Sequence, residues 1–196
     1  MSKVANSTTK KRPGKRERLV KSAQALLHEQ GAHRTTLADI AERADVPLGN
    51  VYYYFKSKDE LIGAVLDSYR EEATTLIRTF ERRRSPEARL KALVRNWSDM
   101  REIVARQGCP MGSLCAELDK DVGGRDRHAA AVMAIIIDWA EDQFRQLGRR
   151  DARDLALALF AGIQGAALLA NAFRDPMILT RQGRHLERWV DTLTSK

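Results

Sequence analysis

Apolar residues along this chain recur at spacings of three and four, and no credible run of alternating polar and apolar positions occurs. That pattern predicts an all-α protein. Leu19, Ala23, Leu26 and Leu27 share one helical face, and Gly31 supplies the stop. Thr36 caps a short helix bearing Leu37, Ile40, Ala41 and Ala44; residues 44–47 form a tight turn, and Pro47 opens a brief helix reaching about residue 55. Ser57 and Glu60 make a capping box for a long helix carrying Leu61, Val65, Leu66, Tyr69, Ala73 and Leu76. Ser85-Pro86 begins another, with Leu90, Leu93, Val94, Trp97 and Ile103, and Pro110 starts a shorter one ending near Asp119. After a break at Gly123-Gly124, the residues Ala129, Met133, Ile136, Ile137, Ala140, Phe144 and Leu147 mark a long amphipathic helix that stops at Gly148. A helix over 151–173 and a last one with Leu179, Leu186, Trp189, Val190 and Leu193 bring the expected count to about nine.

The helix over 151–173 stands apart, because residues 155–173 carry no charge and are long enough to cross a bilayer. Gln164 and Asn171 interrupt it, alanine and glycine dominate it, and Arg153-Asp154 and Arg174-Asp175 flank it without charge asymmetry. A helix apolar on every side in a globular protein is covered on every side. The expectation is a core helix that also faces a second subunit, not a membrane span. Leu155, Leu159, Gly162, Ile163 and Ala166, with Leu186, Trp189 and Val190 of the last helix, then form a four-helix interface across a two-fold axis. Gly162 and Gly165 permit the close helix approach.

Composition narrows the partner. The 196 residues include 34 Lys+Arg against 26 Asp+Glu, a formal charge of +8. Residues 1–21 hold eight of those cations against Glu17 alone, so +7 of the excess sits in an N-terminal arm and the first turns after it. Such an arm suits a polyanion. The two cysteines exclude a disulfide framework and suit a reducing, cytoplasmic setting, and the polar start has no apolar signal segment. His28, His33, His128 and His185 lie apart with no spacing suited to a metal or a catalytic triad, and no glycine-rich phosphate loop occurs, so neither a cofactor nor an enzyme is expected.

What the arm leads into is more specific. The stretch 35–58 (TTLADIAERADVPLGNVYYYFKSK) is two short helices joined by a tight turn, the helix-turn-helix whose second helix can enter a major groove. Asn50 can hydrogen-bond a base edge or phosphate, and Gly49 allows close backbone approach. Tyr52, Tyr53 and Tyr54 carry hydroxyls on rigid stems; three consecutive tyrosines on a helix cannot all point inward, whereas Val51 and Phe55, four apart, belong to the core. Thr36 at a helix N-terminus, Lys56 and Lys58 are placed for phosphates.

In order and spacing these residues resemble the tetracycline-repressor (TetR/AcrR) family of bacterial one-component regulators: Gln30-Gly31, then Thr35-Thr36-Leu37-x-x-Ile40-Ala41, then Gly49-Asn50-Val51-Tyr52-Tyr53-Tyr54-Phe55, then Lys58-Asp59-Glu60-Leu61. Two positions depart from the family pattern, Asp45 for the usual turn glycine and Pro47 for a small hydroxyl residue. The resemblance implies DNA contacts at Thr36, Pro47, Leu48, Gly49, Asn50, Tyr52, Tyr53, Tyr54 and Lys58, with Arg12, Lys15 and Arg16 reaching flanking backbone or minor groove. It implies three parts: a flexible basic arm over 1–14, a three-helix DNA-binding domain over 15–60, and an effector-binding and dimerisation domain over 61–196. The partners are then a double-stranded palindromic operator, an unidentified small-molecule effector and a second copy of the chain.

The resemblance extends to a subgroup with Gly-Cys-x-x-Gly-x-Leu-x-x-Glu-Leu, present here from Gly108 to Leu118, some of whose members respond to electrophiles. Cys109 would cap a helix beginning at Pro110, where the dipole favours a thiolate. Cys115 lies about 240° further around that helix, so the two cannot pair within it. Both cysteines also suit plain packing. The effector pocket is expected among Trp97, Met100, Arg101, Cys109, Met111, Leu114, Met133, Ile137, Phe160, Gln164 and Asn171, with Gln164, polar amid an apolar helix, the foremost candidate. The expected function is a ligand-responsive repressor; the alternatives are an architectural DNA-binding protein without effector and, more remotely, a Cys/His enzyme.

Overall fold

The computed structural model describes residues 13–118 and 125–194, which are helical and contain no strand. Residues 1–12 of the basic arm, Arg12 among them, and the break at Gly123-Gly124 lie outside the described residues. The helices are α1 (Lys15–Gln30), α2 (Leu37–Arg43), α3 (Leu48–Tyr54), α4 (Lys58–Glu81), α5 (Pro86–Asp99), α6 (Arg101–Gln107), α7 (Pro110–Leu118), α8 (Arg125–Gln146), α9 (Ala152–Phe173) and α10 (Met177–Thr194). Among the described residues there are ten helices against the expected about nine, because the segment opened by Pro86 breaks at Met100, whose φ of −87° and ψ of 7° lie outside the helical basin.

Local chemistry sets the boundaries. Thr36 and Asp39 form a reciprocal capping box: the Thr36 hydroxyl accepts from the Asp39 N–H and the Asp39 carboxylate accepts from the Thr36 N–H at 2.9 Å. The hydroxyl and backbone N–H of Thr36 together hold the Asp39 carboxyl below the usual carboxylate range. Ser57 likewise accepts from the Glu60 N–H, but the Glu60 carboxylate returns to the N–H of Lys56, one residue earlier than the expected box. Pro47 is the cap of α3 and not its first residue. Asp45 takes the place of the turn glycine with φ of 52°, the left-handed basin that aspartate tolerates.

α1 packs on α2, and α2 on α3, with Leu19, Ala23, Ile40, Val51 and Phe55 buried among them, and α1 also lies against α4. The rest of α4 lies against α8, and α5, α8, α9 and α10 enclose a second apolar region that includes Leu90, Leu93, Phe144 and Leu159. Lys91 pairs with Asp191, and Arg95 with Glu187 at 2.8 Å, along the α5–α10 seam. One long helix, α4, therefore packs against both α1 and α8.

Of the residues expected at an interface, Leu155, Leu159, Ile163, Ala166, Leu186 and Val190 are buried within the chain itself, where α9 packs on α8, α6 and α10. Gly162 does permit a close approach, but to this chain's own α10: a Cβ there would lie 3.1 Å from Leu186 Cδ2. Trp189 is half-buried and meets Phe144 edge-on at 6.1 Å. The face of α9 left open carries Leu157, Ala158, Ala161, Leu168, Leu169 and Phe173, with Met177 beyond it on α10. Length and hydropathy alone would let α9 cross a membrane, yet its other faces are spent on packing.

Candidate nucleic-acid interface and effector cavity

The helix-turn-helix presents α3 outward. Its interior residue Val51 and the following Phe55 are almost fully buried, which pins the helix and turns its other side to solvent. Pro47, Gly49 and Leu48 are exposed at its start; Tyr52 is 49% and Tyr53 79% exposed. Tyr54 and Asn50 are half-buried, and the Tyr53 and Tyr54 rings meet edge-to-face with centroids 5.0 Å apart. Large apolar rings left bare on a short helix point to a partner.

Around this tip lie the cations. Arg16 sits over the Phe55 ring, 5.2 Å from its centroid, and Lys15 is exposed at the start of α1. Arg18 donates to the carbonyls of Ala44 and Asp45, tying α1 to the turn. Thr36 is exposed at the N-terminus of α2. Lys58 is half-buried, and its ammonium donates to the Ala32 carbonyl, so in this state it braces the α1–α2 connection.

In the larger half, α7, α8 and α9 line a cavity of about 400 Å³ that opens to solvent past the exposed Leu157 and Leu168. Of the expected pocket residues, Cys109, Met133, Ile137, Phe160, Gln164 and Asn171 line it. Trp97, Met100 and Met111 line a separate cavity of about 290 Å³ beneath α4, together with Tyr69 and Glu72. Cys109 forms part of both walls. Leu114 is buried in the core, and neither it nor Arg101, which turns back to the Ser98 carbonyl, lines either cavity. Burial pushes the Tyr69 phenol well above its ordinary range.

Cys109 precedes α7 as expected, and its sulfur accepts from the Gly112 N–H at 3.4 Å. Cys115 faces α8 and donates to the Ala129 carbonyl at 3.4 Å. Both thiols are buried, and neither is in a disulfide.

Two contacts that spacing did not disclose join this cavity to the DNA-binding half. The Glu117 carboxylate on α7 accepts from the Ala32 N–H at 2.5 Å, and His28 Nε2 lies 2.9 Å from the Gly108 carbonyl, a bond formed by the tautomer protonated on Nε2. Glycine is required on both sides. Gly31 and Gly108 have φ of 83° and 84° with ψ near 180°, a region essentially closed to other residues. A Cβ on Gly31 would also strike Glu117 Oε1 at 2.8 Å, and one on Gly108 would strike Ser113 Oγ at 2.5 Å. Glu117 stands within the motif read above, but nothing in linear sequence pairs it with a backbone N–H 85 residues away.

The family model described as bacterial regulatory proteins, tetR family, matches residues 19–65, and that described as tetracyclin repressor-like, C-terminal domain, matches 86–186. An uncharacterised HTH-type transcriptional regulator of Mycobacterium tuberculosis is 31% identical over 186 residues, covering 88% of this chain and 94% of that protein. The HTH-type transcriptional regulator TtgR of Pseudomonas putida is 28% identical over 190 residues, covering 90% and 88%. Among solved structures, the regulator SCO4454 of Streptomyces coelicolor superposes with a TM-score of 0.82 at 20% identity, covering 92% of this chain and 96% of that one. The chain belongs to the tetR family of bacterial regulatory proteins, DNA-binding transcriptional regulators and not enzymes.

Proposed function

We propose that this protein is a dimeric, cytoplasmic repressor that seats the exposed tip of α3 in the major groove of a palindromic operator. A small molecule entering the cavity between α7, α8 and α9 releases it. The observation that carries the reading is the pair of hydrogen bonds from the cavity wall to the end of α1, Glu117 to Ala32 and Gly108 to His28. A ligand that displaces α7 or the Gly108 loop pulls directly on the helix packed beside the helix-turn-helix. Lys58 holds the Ala32 carbonyl while Glu117 holds its N–H, so the same short connection is anchored to both α4 and α7. Release then follows as a shift between two relative placements of the halves.

Leu48, Tyr52 and Tyr53 are the residues for the groove floor, with Gly49, Asn50 and Tyr54 beside them. Lys15, Arg16 and Thr36 are the candidates for the flanking phosphates, Lys58 joins them on leaving Ala32, and Arg12, outside the described residues, is assigned to the same backbone from the sequence alone. For dimerisation the supporting feature is the bare face of α9. An isologous contact through Leu157, Ala161, Leu168 and Leu169 would cover it, and Leu157, Ala161 and Leu168 also line the cavity, so a partner would close the effector site.

Selection of duplexes from a randomised pool with the purified protein tests the function. Enrichment of a palindrome, bound with an affinity that falls steeply with salt, supports it; enrichment of no sequence over random DNA refutes it.

A second reading rests on Cys109, whose side chain lines both cavities. Its sulfur would add to the β-carbon of an unsaturated carbonyl compound, with a proton passing to the α-carbon, making the effector covalent. Unchanged operator release by such compounds in Cys109→Ser would refute it.

A further inference from the structure

The effector cavity has a chemistry of its own. The inference drawn from it rests on the reading of that cavity as the effector site. Its surface is mainly apolar, with Met133, Ile137, Leu157, Phe160 and Leu168 among the lining residues, and none of the side chains lining it carries a formal charge. A charged ligand would surrender its hydration there with no counter-ion to replace it. One polar atom is out of balance. Gln164 Nε2 is buried without a hydrogen-bond partner among the described residues. Its Oε1 is turned toward α7, lying 2.6 Å from where a Cβ on Gly112 would stand, so any larger residue there would have to push the carboxamide aside. Asn171 also lines the cavity, but its Nδ2 is already donated to the Ala105 carbonyl at 3.2 Å. The amide N–H of Gln164 is therefore the donor still to be spent; it is closed off from the open space in this state, and rotation of the terminal carboxamide would turn it toward a ligand in the cavity.

We infer that the cavity binds a small, uncharged, mainly apolar molecule bearing one hydrogen-bond acceptor of carbonyl type, its oxygen received by Gln164 Nε2 and its apolar body by Met133, Ile137 and Phe160. The volume lies at the small end of the range for ligand sites, which suits a compact ring system.

Four size-matched probes test this by calorimetry on the full chain: 2-acetonaphthone, 2-ethylnaphthalene, 2-naphthoate and 2-naphthylmethylammonium. The ketone should bind about tenfold more tightly than the hydrocarbon, the worth of one buried hydrogen bond. The two ions should bind more weakly than either. In Gln164→Leu the ketone's advantage should vanish while the hydrocarbon still binds. Gln164→Glu, of equal size but with no donor when ionised, should also lose it. The inference is overturned if an ion binds most tightly, if none of the four binds, or if the ketone keeps its advantage in both variants. Operator release is measured separately with the same probes. Gln164-dependent binding without release supports the ligand chemistry and counts against the effector reading, and release that ignores both Gln164 variants does the reverse.

Discussion

Truncating Tyr53 to alanine separates recognition from folding. The side chain is 79% exposed, so the protomer covers only about a fifth of a surface of roughly 200 Å². At about 25 cal/mol per Å² the burial lost is about 1 kcal/mol, to which the partly solvated edge contact with Tyr54 adds about 0.5 kcal/mol at most. In a chain of this size that lowers the melting temperature by roughly 2–6 °C. On DNA the same ring would lie in the groove, and losing a well-packed contact there costs about 1–3 kcal/mol, about 5- to 150-fold in Kd. The assay is fluorescence anisotropy with a selected operator duplex across a salt series, beside a thermal melt. Because Tyr53 bears no charge, the salt slope should not change. An affinity within twofold of the parent, or a loss of affinity that merely follows unfolding, would refute the placement of α3 in the groove.

Three further outcomes follow from the geometry. Gly108→Ala forces an alanine into the glycine-only region and against Ser113 Oγ; the strain of about 1–3 kcal/mol should lower the melting temperature by roughly 2–12 °C, and a fall below that range would contradict the assignment of φ. Glu117→Ala removes the acceptor of the Ala32 N–H, and amide exchange at Ala32 should quicken about fivefold, as fits a solvated bond worth about 1 kcal/mol, while exchange within α3 stays as it was. Leu168→Glu places a charge on a residue that the protomer leaves 70% exposed, so sedimentation should show dissociation to monomers with the melting temperature of the monomer scarcely altered; an intact dimer would move the interface elsewhere.

Much of the molecule was determined by the sequence alone, because the signals concerned are local. Helical periodicity, the Thr36 cap, the Asp45-to-Pro47 turn and the tyrosine run are each complete within a few residues, and from them follow the helix-turn-helix and its family. The all-round apolarity of α9 announced a buried helix in the same way. Which residues of that helix meet its own protomer was decided only by the tertiary structure. Leu155, Leu159 and Ile163 are as apolar as Leu157 and Leu168, and hydrophobicity does not say which face α8, α6 and α10 will claim. The division of the expected pocket residues between two cavities, the spare N–H of Gln164 and the grip of Glu117 on Ala32 belong to the same class. Each depends on atoms far apart in the chain, and the free energy of bringing them together is a property of packing that no spacing along the sequence records.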